Sequence, residues 1–191
     1  MTRRGALVRS ETVDHLTPAG WEALRAHGIR TIIDLRNDDE RSNTGPVPPG
    51  IEVVHIALDQ LEADPEFWVD WMNGPQFGTP LYYRPFMDRF PDQIERVLDA
   101  MEQAPPGGVL FHCVGGRDRT GLVAIAALTV AGVPPETIAE DYARGAERAH
   151  THDPALEDFL AERGTSAREL VMDLVASLDY DRPRLRARLV V

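Results

Sequence analysis

Short apolar runs alternate with longer stretches of helical period along this chain. Residues 31–35 and 109–111 are compact and apolar. The first is rich in β-branched side chains and the second follows Gly107-Gly108, so both predict buried strands. Residues 51–58 predict another strand and residues 6–9 a short edge strand. Thr17 followed by Pro18 opens a helix that Gly28 ends, with Trp21 and Leu24 on its inner face. Asp64-Pro65-Glu66 opens a second helix, whose Phe67, Trp68, Trp71 and Met72 share a stripe before Asn73-Gly74 stops it. Ile94, Val97, Leu98 and Met101 give residues 91–104 an amphipathic face. Residues 122–128 are apolar on every side, as in a fully buried helix, and Gly132, Pro134 and Pro135 close it. Further helices are expected over 135–144, 156–160 and 166–178, with helical spacing again from 182 to 191; residues 42–50 and 74–80 read as loops. Strands alternating with helices predict an α/β fold of three layers, a short, mainly parallel sheet with helices on both faces. No repeat or linker marks a division, so residues 1–191 are expected to form a single domain.

Between the strand at 109–111 and the buried helix lies His112-Cys113-Val114-Gly115-Gly116-Arg117-Asp118-Arg119-Thr120-Gly121, which holds the only cysteine. A strand-loop-helix turn with two glycines is suited to phosphate. Glycines let successive backbone N–H groups curl inward as an anion nest, and the helix start turns its positive dipole end to the same point. Arg119, six positions after Cys113, can fork two hydrogen bonds to phosphate oxygens, which a lysine cannot. Nest, dipole and guanidinium together favour a thiolate, the nucleophilic form of cysteine. The chemistry expected is attack by Cys113 on phosphorus, a cysteinyl-phosphate intermediate and hydrolysis to inorganic phosphate. The backbone amides of Val114, Gly115, Gly116, Arg117 and Thr120 would line the cradle. The bland alternative is a buried cysteine beside a chance arginine; the agreement of histidine, glycines, arginine and Thr-Gly with one mechanism favours the catalytic reading.

These residues also carry a resemblance. Cys-x5-Arg, preceded by His and followed by Thr, resembles the signature of the cysteine-based protein tyrosine phosphatase superfamily. The narrower form resembles a bacterial tyrosine/serine phosphatase group that includes a secreted mycobacterial enzyme acting also on phosphoinositides. That group has Lys where this chain has Arg117. Residues 28–36 with Glu40 resemble its early strand, and the match runs from about Arg9 to Tyr142. Rhodanese-like and arsenate-reductase proteins also use a cysteine loop, but they lack the Asp34-Leu35-Arg36 strand end. The resemblance implies the cysteine-phosphatase fold, a phosphorylated protein or phosphoinositide as substrate, and no cofactor or metal, since the loop supplies the positive charge. Protein phosphotyrosine with dual specificity, a lipid substrate, and a non-catalytic phosphate-binding module are the readings it leaves.

The leaving oxygen needs a proton, and in the resembling group the acid follows the second strand, where Asp59 stands. Asp118, inside the loop, is the other candidate, while Asp88 and Asp92 read as helix-terminal charges. His112 is expected to orient the loop and support the thiolate, and Thr120 to donate to the Cys113 sulfur. Arg117 would be a second cation at the pocket rim, suited to a multiply phosphorylated inositol ring. Arg36 is either a cation that supports the site from behind or stands at the substrate's edge, or a surface partner of Asp38, Asp39 or Glu40. The aromatic helix after Asp64 is either a lid over the pocket, as the resemblance implies, or a satellite packed on the sheet. Tyr82 and Tyr83 belong to the core or to the pocket wall. His150 and His152 lack a cysteine or nearby glutamate to complete a metal site and read as a solvated helix start.

Composition narrows partners more than chemistry. The chain has 191 residues and a net charge of −11, which argues against nucleic acid or an anionic membrane surface as a bulk partner. All 20 basic residues are arginine. With one cysteine there is no internal disulfide and no second thiol to resolve an oxidised Cys113. No apolar run is long enough for an integral membrane segment or a secretory signal, so a cytoplasmic location is expected.

Overall fold

The computed structural model describes residues 2–41, 45–148 and 154–191. One sheet organises them, in the order β1-β4-β2-β3: β1 is Leu7–Ser10, β2 Ile29–Asp34, β3 Glu52–His55 and β4 Gly108–His112. Every pairing is parallel, so the sheet is α/β with no antiparallel member. Ser10 and Asp34 both stand opposite His112, and His55 stands opposite Asp34. All four strands therefore end level. The loops leaving them share the carboxyl edge, where open parallel sheets hold ligands.

β4 is central and buried along its length, and its side chains alternate between two cores with the period of two that a strand imposes. Leu110 joins Val13, Ile29 and Ile32 beneath α1 (Pro18–Ala26), whose Trp21 and Leu24 cover that face and whose Thr17 caps Gly20. Val109 and Phe111 join the larger core on the opposite face. There α5 (Asp118–Val130) is buried nearly all round, which is why it shows no polar stripe. α4 (Pro91–Gln103), α6 (Pro135–Arg148), α8 (Ala167–Ser177) and α9 (Pro183–Leu189) enclose it. α2 (Pro65–Met72), α3 (Tyr83–Arg89) and α7 (Ala155–Ala161) complete the layer.

Three elements differ from expectation. β3 stops at His55 because β2, its only neighbour, ends at Asp34; Ile56 and Leu58 still donate to the carbonyls of Asp34 and Leu35 beyond the ladder. α3 was not anticipated. Pro85 sits in its first turn, where the missing N–H has no partner to lose, and Tyr82 and Tyr83 are buried in the core. α6 runs through Gly145 to Arg148 rather than ending at 144. Among the described residues no helix is long and apolar enough to cross a membrane. His150 and His152 lie outside the described residues.

Candidate functional site

The loop from Cys113 to Arg117 leaves the end of β4 and runs into α5. It is clamped from three directions. Gly116 has φ +67°, and a Cβ there would lie 2.7 Å from the Ser10 carbonyl, so only glycine lets the loop seat against the end of β1. The Thr12 amide donates to the Val114 carbonyl at 2.9 Å, and Arg9 Nη2 donates to the Gly116 carbonyl at 3.1 Å. Cys113 is 3% exposed. Its Sγ accepts a hydrogen bond from Thr120 Oγ1 at 3.1 Å, one turn into the helix.

His112 Nδ1 lies 2.9 Å from the Cys113 carbonyl, which can only accept, so Nδ1 carries the hydrogen. Burial pushes the imidazole pKa down, against the opposing pull of that carbonyl and of Asp34, 3.9 Å from Nε2. The ring is neutral at neutral pH. It holds the backbone of the nucleophile and makes no hydrogen bond to the sulfur, which corrects the expectation of direct support for the thiolate.

Arg119 rises from the first turn of α5 and meets two carboxylates. Glu40 forks its guanidinium at 2.5 and 2.7 Å, and Asp59 Oδ2 lies 3.3 Å from Nη1. Glu40 takes two of the five N–H donors and fixes the plane of the fork. One cation cannot satisfy two anions, and the pair divides unequally. Burial pushes Glu40 up, but the Arg119 fork outweighs it and its pKa falls below the usual range. Asp59 is 6% exposed. Burial dominates there, with Arg119 opposing and the Glu40 charge adding, and raises its pKa from 3.8 to about 6. An ion-paired carboxyl ordinarily ionises more readily; this one does not, because the better-placed Glu40 already holds the arginine. Asn37 Nδ2 donates to Asp59 Oδ2 at 3.4 Å, and Trp68 Nε1 donates to the Asp59 carbonyl at 2.7 Å. Trp68 sits on α2, buried among Phe67, Phe77, Tyr82 and Phe86. The aromatic helix thus contacts the core and Asp59 together, while Val69 and Met72 on its other side are exposed.

A model of the tyrosine phosphatase family matches residues 1–184. The chain belongs to that family. It is 31% identical over 180 residues to a tyrosine-protein phosphatase of Nostoc commune, covering 86% of this chain and 56% of the relative. It is 28% identical over 190 residues to the triple specificity protein phosphatase PtpB of Mycobacterium tuberculosis, covering 84% and 68%. The chain thus spans a little over half to two thirds of the length of these relatives. The crystal structure of TpbA from P. aeruginosa superposes with a TM-score of 0.44 at 18% identity, over 89% of this chain and 86% of that one.

Two arginines of this family member lie deeper than a rim or surface place allows. Arg36 is 1% exposed, so it is not a surface partner and fits the supporting reading instead: its guanidinium bonds Asp34 at 2.9 Å, Asp14 at 2.5 Å and Thr12 at 3.1 Å. Asp34 is pushed up by burial and pulled down further by Arg36 and His112, to about 2. The cluster is an ionic buttress under the loop. Arg117 is not at the rim. It is buried, donates to the Gly78 carbonyl and lies 3.8 Å from Asp118, because the turns at 75–82 fold over it. Asp118 is drawn inward with it. Burial raises its pKa despite Arg117 and Arg119, and Tyr83 donates to its backbone carbonyl at 3.0 Å. Glu40, the residue that orients Arg119, was read in the sequence only as part of the early strand or as a partner of Arg36. Its place four residues beyond Arg36, at the carboxyl edge, is the signal that was present.

Proposed function

We propose that this chain hydrolyses phosphomonoesters through a cysteinyl-phosphate, with phosphotyrosine in proteins as the leading substrate. Family membership supports the reaction class. The observation that carries the mechanism is Asp59: a carboxyl with its pKa raised to about 6, 3.3 Å from the guanidinium that would clamp the phosphoryl group.

In the first step the Cys113 thiolate attacks phosphorus, the P–O ester bond breaks, and the leaving oxygen takes the proton of Asp59. Arg119 and the loop amides hold the equatorial oxygens, where charge gathers. In the second step a water oxygen attacks phosphorus, its proton returns to Asp59, and the P–S bond breaks. The Thr120 hydroxyl stabilises the departing thiolate, and inorganic phosphate leaves. Asp118 remains the second candidate for the acid, since its pKa is also raised and it adjoins Arg119 in sequence. The single sheet that carries the whole site supports reading the chain as one catalytic unit.

Dual specificity toward phosphoserine is the next proposal, and the name of the PtpB relative is its support. The lipid reading rests on the resemblance and on a cation at position 117, and with Arg117 buried it keeps only the first support. The test is metal-free phosphate release by wild type and Cys113→Ser on a phosphotyrosine peptide, a phosphoserine peptide and a phosphoinositide. Release by wild type alone, fastest on phosphotyrosine, is expected. Equal release by the serine variant would overturn the cysteine mechanism, and fastest release from the phosphoinositide would overturn the substrate order.

A further inference from the structure

Beside the catalytic loop, between the end of β1 and α6, lies an open groove of about 400 Å³ lined by Arg9, Ser10, Gly116, Asp141, Arg144 and Arg148 among others. Its floor is built rather than incidental. Gly145 stands inside α6, where glycine costs about 1 kcal/mol relative to alanine. A Cβ at Gly145 would lie 2.7–2.8 Å from the Arg9 guanidinium. The missing side chain lets that guanidinium lie against the helix, with Nη1 on Asp141 at 3.0 Å and Nη2 on the Gly116 carbonyl at 3.1 Å. Arg144 and Arg148, one turn apart on α6, complete the wall. Three cations line it with two carboxylates, Glu11 and Asp141; Asp141 engages Arg9 at 3.0 Å, and the exposed Arg144 lies 3.8 Å from Glu140 on the same helix. In a chain of net charge −11, this gathering of three arginines beside the catalytic loop gives the groove its cationic side chains.

The groove shares Gly115 and Gly116 with the phosphate cradle. Gly116 is three residues from Cys113, so no more than about 11 Å of backbone separates them. A group held in the groove can therefore belong to the same molecule as the reacting phosphate. We propose that the groove is a subsite for a second anionic group of the substrate, an Asp or Glu side chain close to the phosphotyrosine of a peptide. This rests on the phosphatase reading above. A peptide fits better than a bilayer, because a surface of net charge −11 is repelled by anionic lipid over a wide area, whereas a single acidic side chain meets only the local field.

The test compares kcat/KM for two phosphotyrosine peptides, one flanked by Asp and Glu and one by Ala, in wild type and in the Arg144→Gln/Arg148→Gln variant. Both sites are solvent-facing helix positions, and circular dichroism checks the fold. Wild type is expected to prefer the acidic peptide by about two- to thirtyfold, the range that two exposed ion pairs give, and high salt is expected to erase the preference. The variant is expected to lose most of that ratio. Equal rates on the two peptides, or a preference unchanged in the variant, would overturn the subsite while leaving the phosphatase reading intact. If the peptides are equal but the variant loses discrimination between bis- and monophosphorylated inositides in vesicles, the occupant is a lipid headgroup and the peptide assignment falls. No turnover of either peptide by wild type would remove the phosphatase reading and this one with it.

Discussion

Replacing Asp59 by asparagine separates two consequences of its burial. The folded-state pKa of about 6 stands roughly two units above the ordinary 3.8. At about 1.36 kcal/mol per unit, the ionised carboxyl costs the fold about 3 kcal/mol at pH 7.5 as an upper bound. A raised carboxyl pKa makes the native state bind the proton more tightly than the unfolded chain. Its contribution to stability is therefore complete below pH 3.8 and is lost as pH rises through about 6. Asparagine keeps the shape and never ionises. Asp59→Asn should then be more stable than wild type at pH 7.5, raising Tm by up to about 6–12 °C for a chain of this size, and the two should converge at pH 4. On a phosphotyrosine peptide the same variant should lose about 10²–10⁴-fold in kcat, and the fall of the wild-type rate above pH 6 should disappear. Differential scanning fluorimetry and a pH–rate profile read both effects on one preparation. A variant less stable than wild type at pH 7.5 would mean that Asp59 serves the fold as an ion-pair partner of Arg119. A variant of normal rate would remove it as the acid.

Further predictions test its neighbours. Asp118→Asn should cost less activity than Asp59→Asn; the reverse order would exchange their roles. Arg119→Lys should lose most activity, because an ammonium cannot fork to phosphate and to Glu40 together, and near-normal kcat/KM would contradict the clamp. Glu40→Gln should raise KM for a phosphotyrosine peptide and weaken inhibition by inorganic phosphate, since the Arg119 plane is no longer held; unchanged phosphate inhibition would count against a positioning role. Trp68→Phe removes the hydrogen bond to the Asp59 carbonyl while keeping an aromatic ring. It should lower kcat severalfold and move the basic limb to lower pH as water reaches the acid, and an unmoved limb would leave Trp68 as packing alone.

What could be read from the sequence was contiguous. The loop, its strand and its helix follow one another within about twenty residues, so spacing alone placed Cys113, Gly116, Arg119 and Thr120 in one turn. Asp59 was singled out through the resemblance, whose acid follows the second strand, and the fold puts it just past β3 at the carboxyl edge, 3.3 Å from Arg119. The misplaced residues each have at least one partner distant in the chain. Arg36 was paired with its sequence neighbours, but the folded chain brings Asp14 to it from 22 residues away. Glu40 and Arg119 are 79 residues apart; the place of Glu40 near the carboxyl edge hints at the site, but nothing in the sequence pairs the two. Arg117 carries the right charge for a rim and turns inward only because the turns at 75–82 close over it. The helix expected over 135–144 runs on through Gly145, whose missing side chain leaves the space that Arg9 fills.

The strand order has a consequence for how the molecule is made. Among the described residues β1 has its only strand partner in β4, and Arg9 meets Gly116 from 107 positions away. A chain growing from the ribosome can pair β2 with β3 early, but β1 stays without a neighbour until β4 emerges. Since β4 lies between β1 and β2, its insertion joins the two halves of the sheet and forms the loop in one event. Nascent chains that stop short of it would hold Asp59 and Glu40 but no thiol and no cradle. Assembly of the sheet and appearance of the nucleophile therefore coincide, so incomplete chains have no reactive cysteine to lose to oxidants.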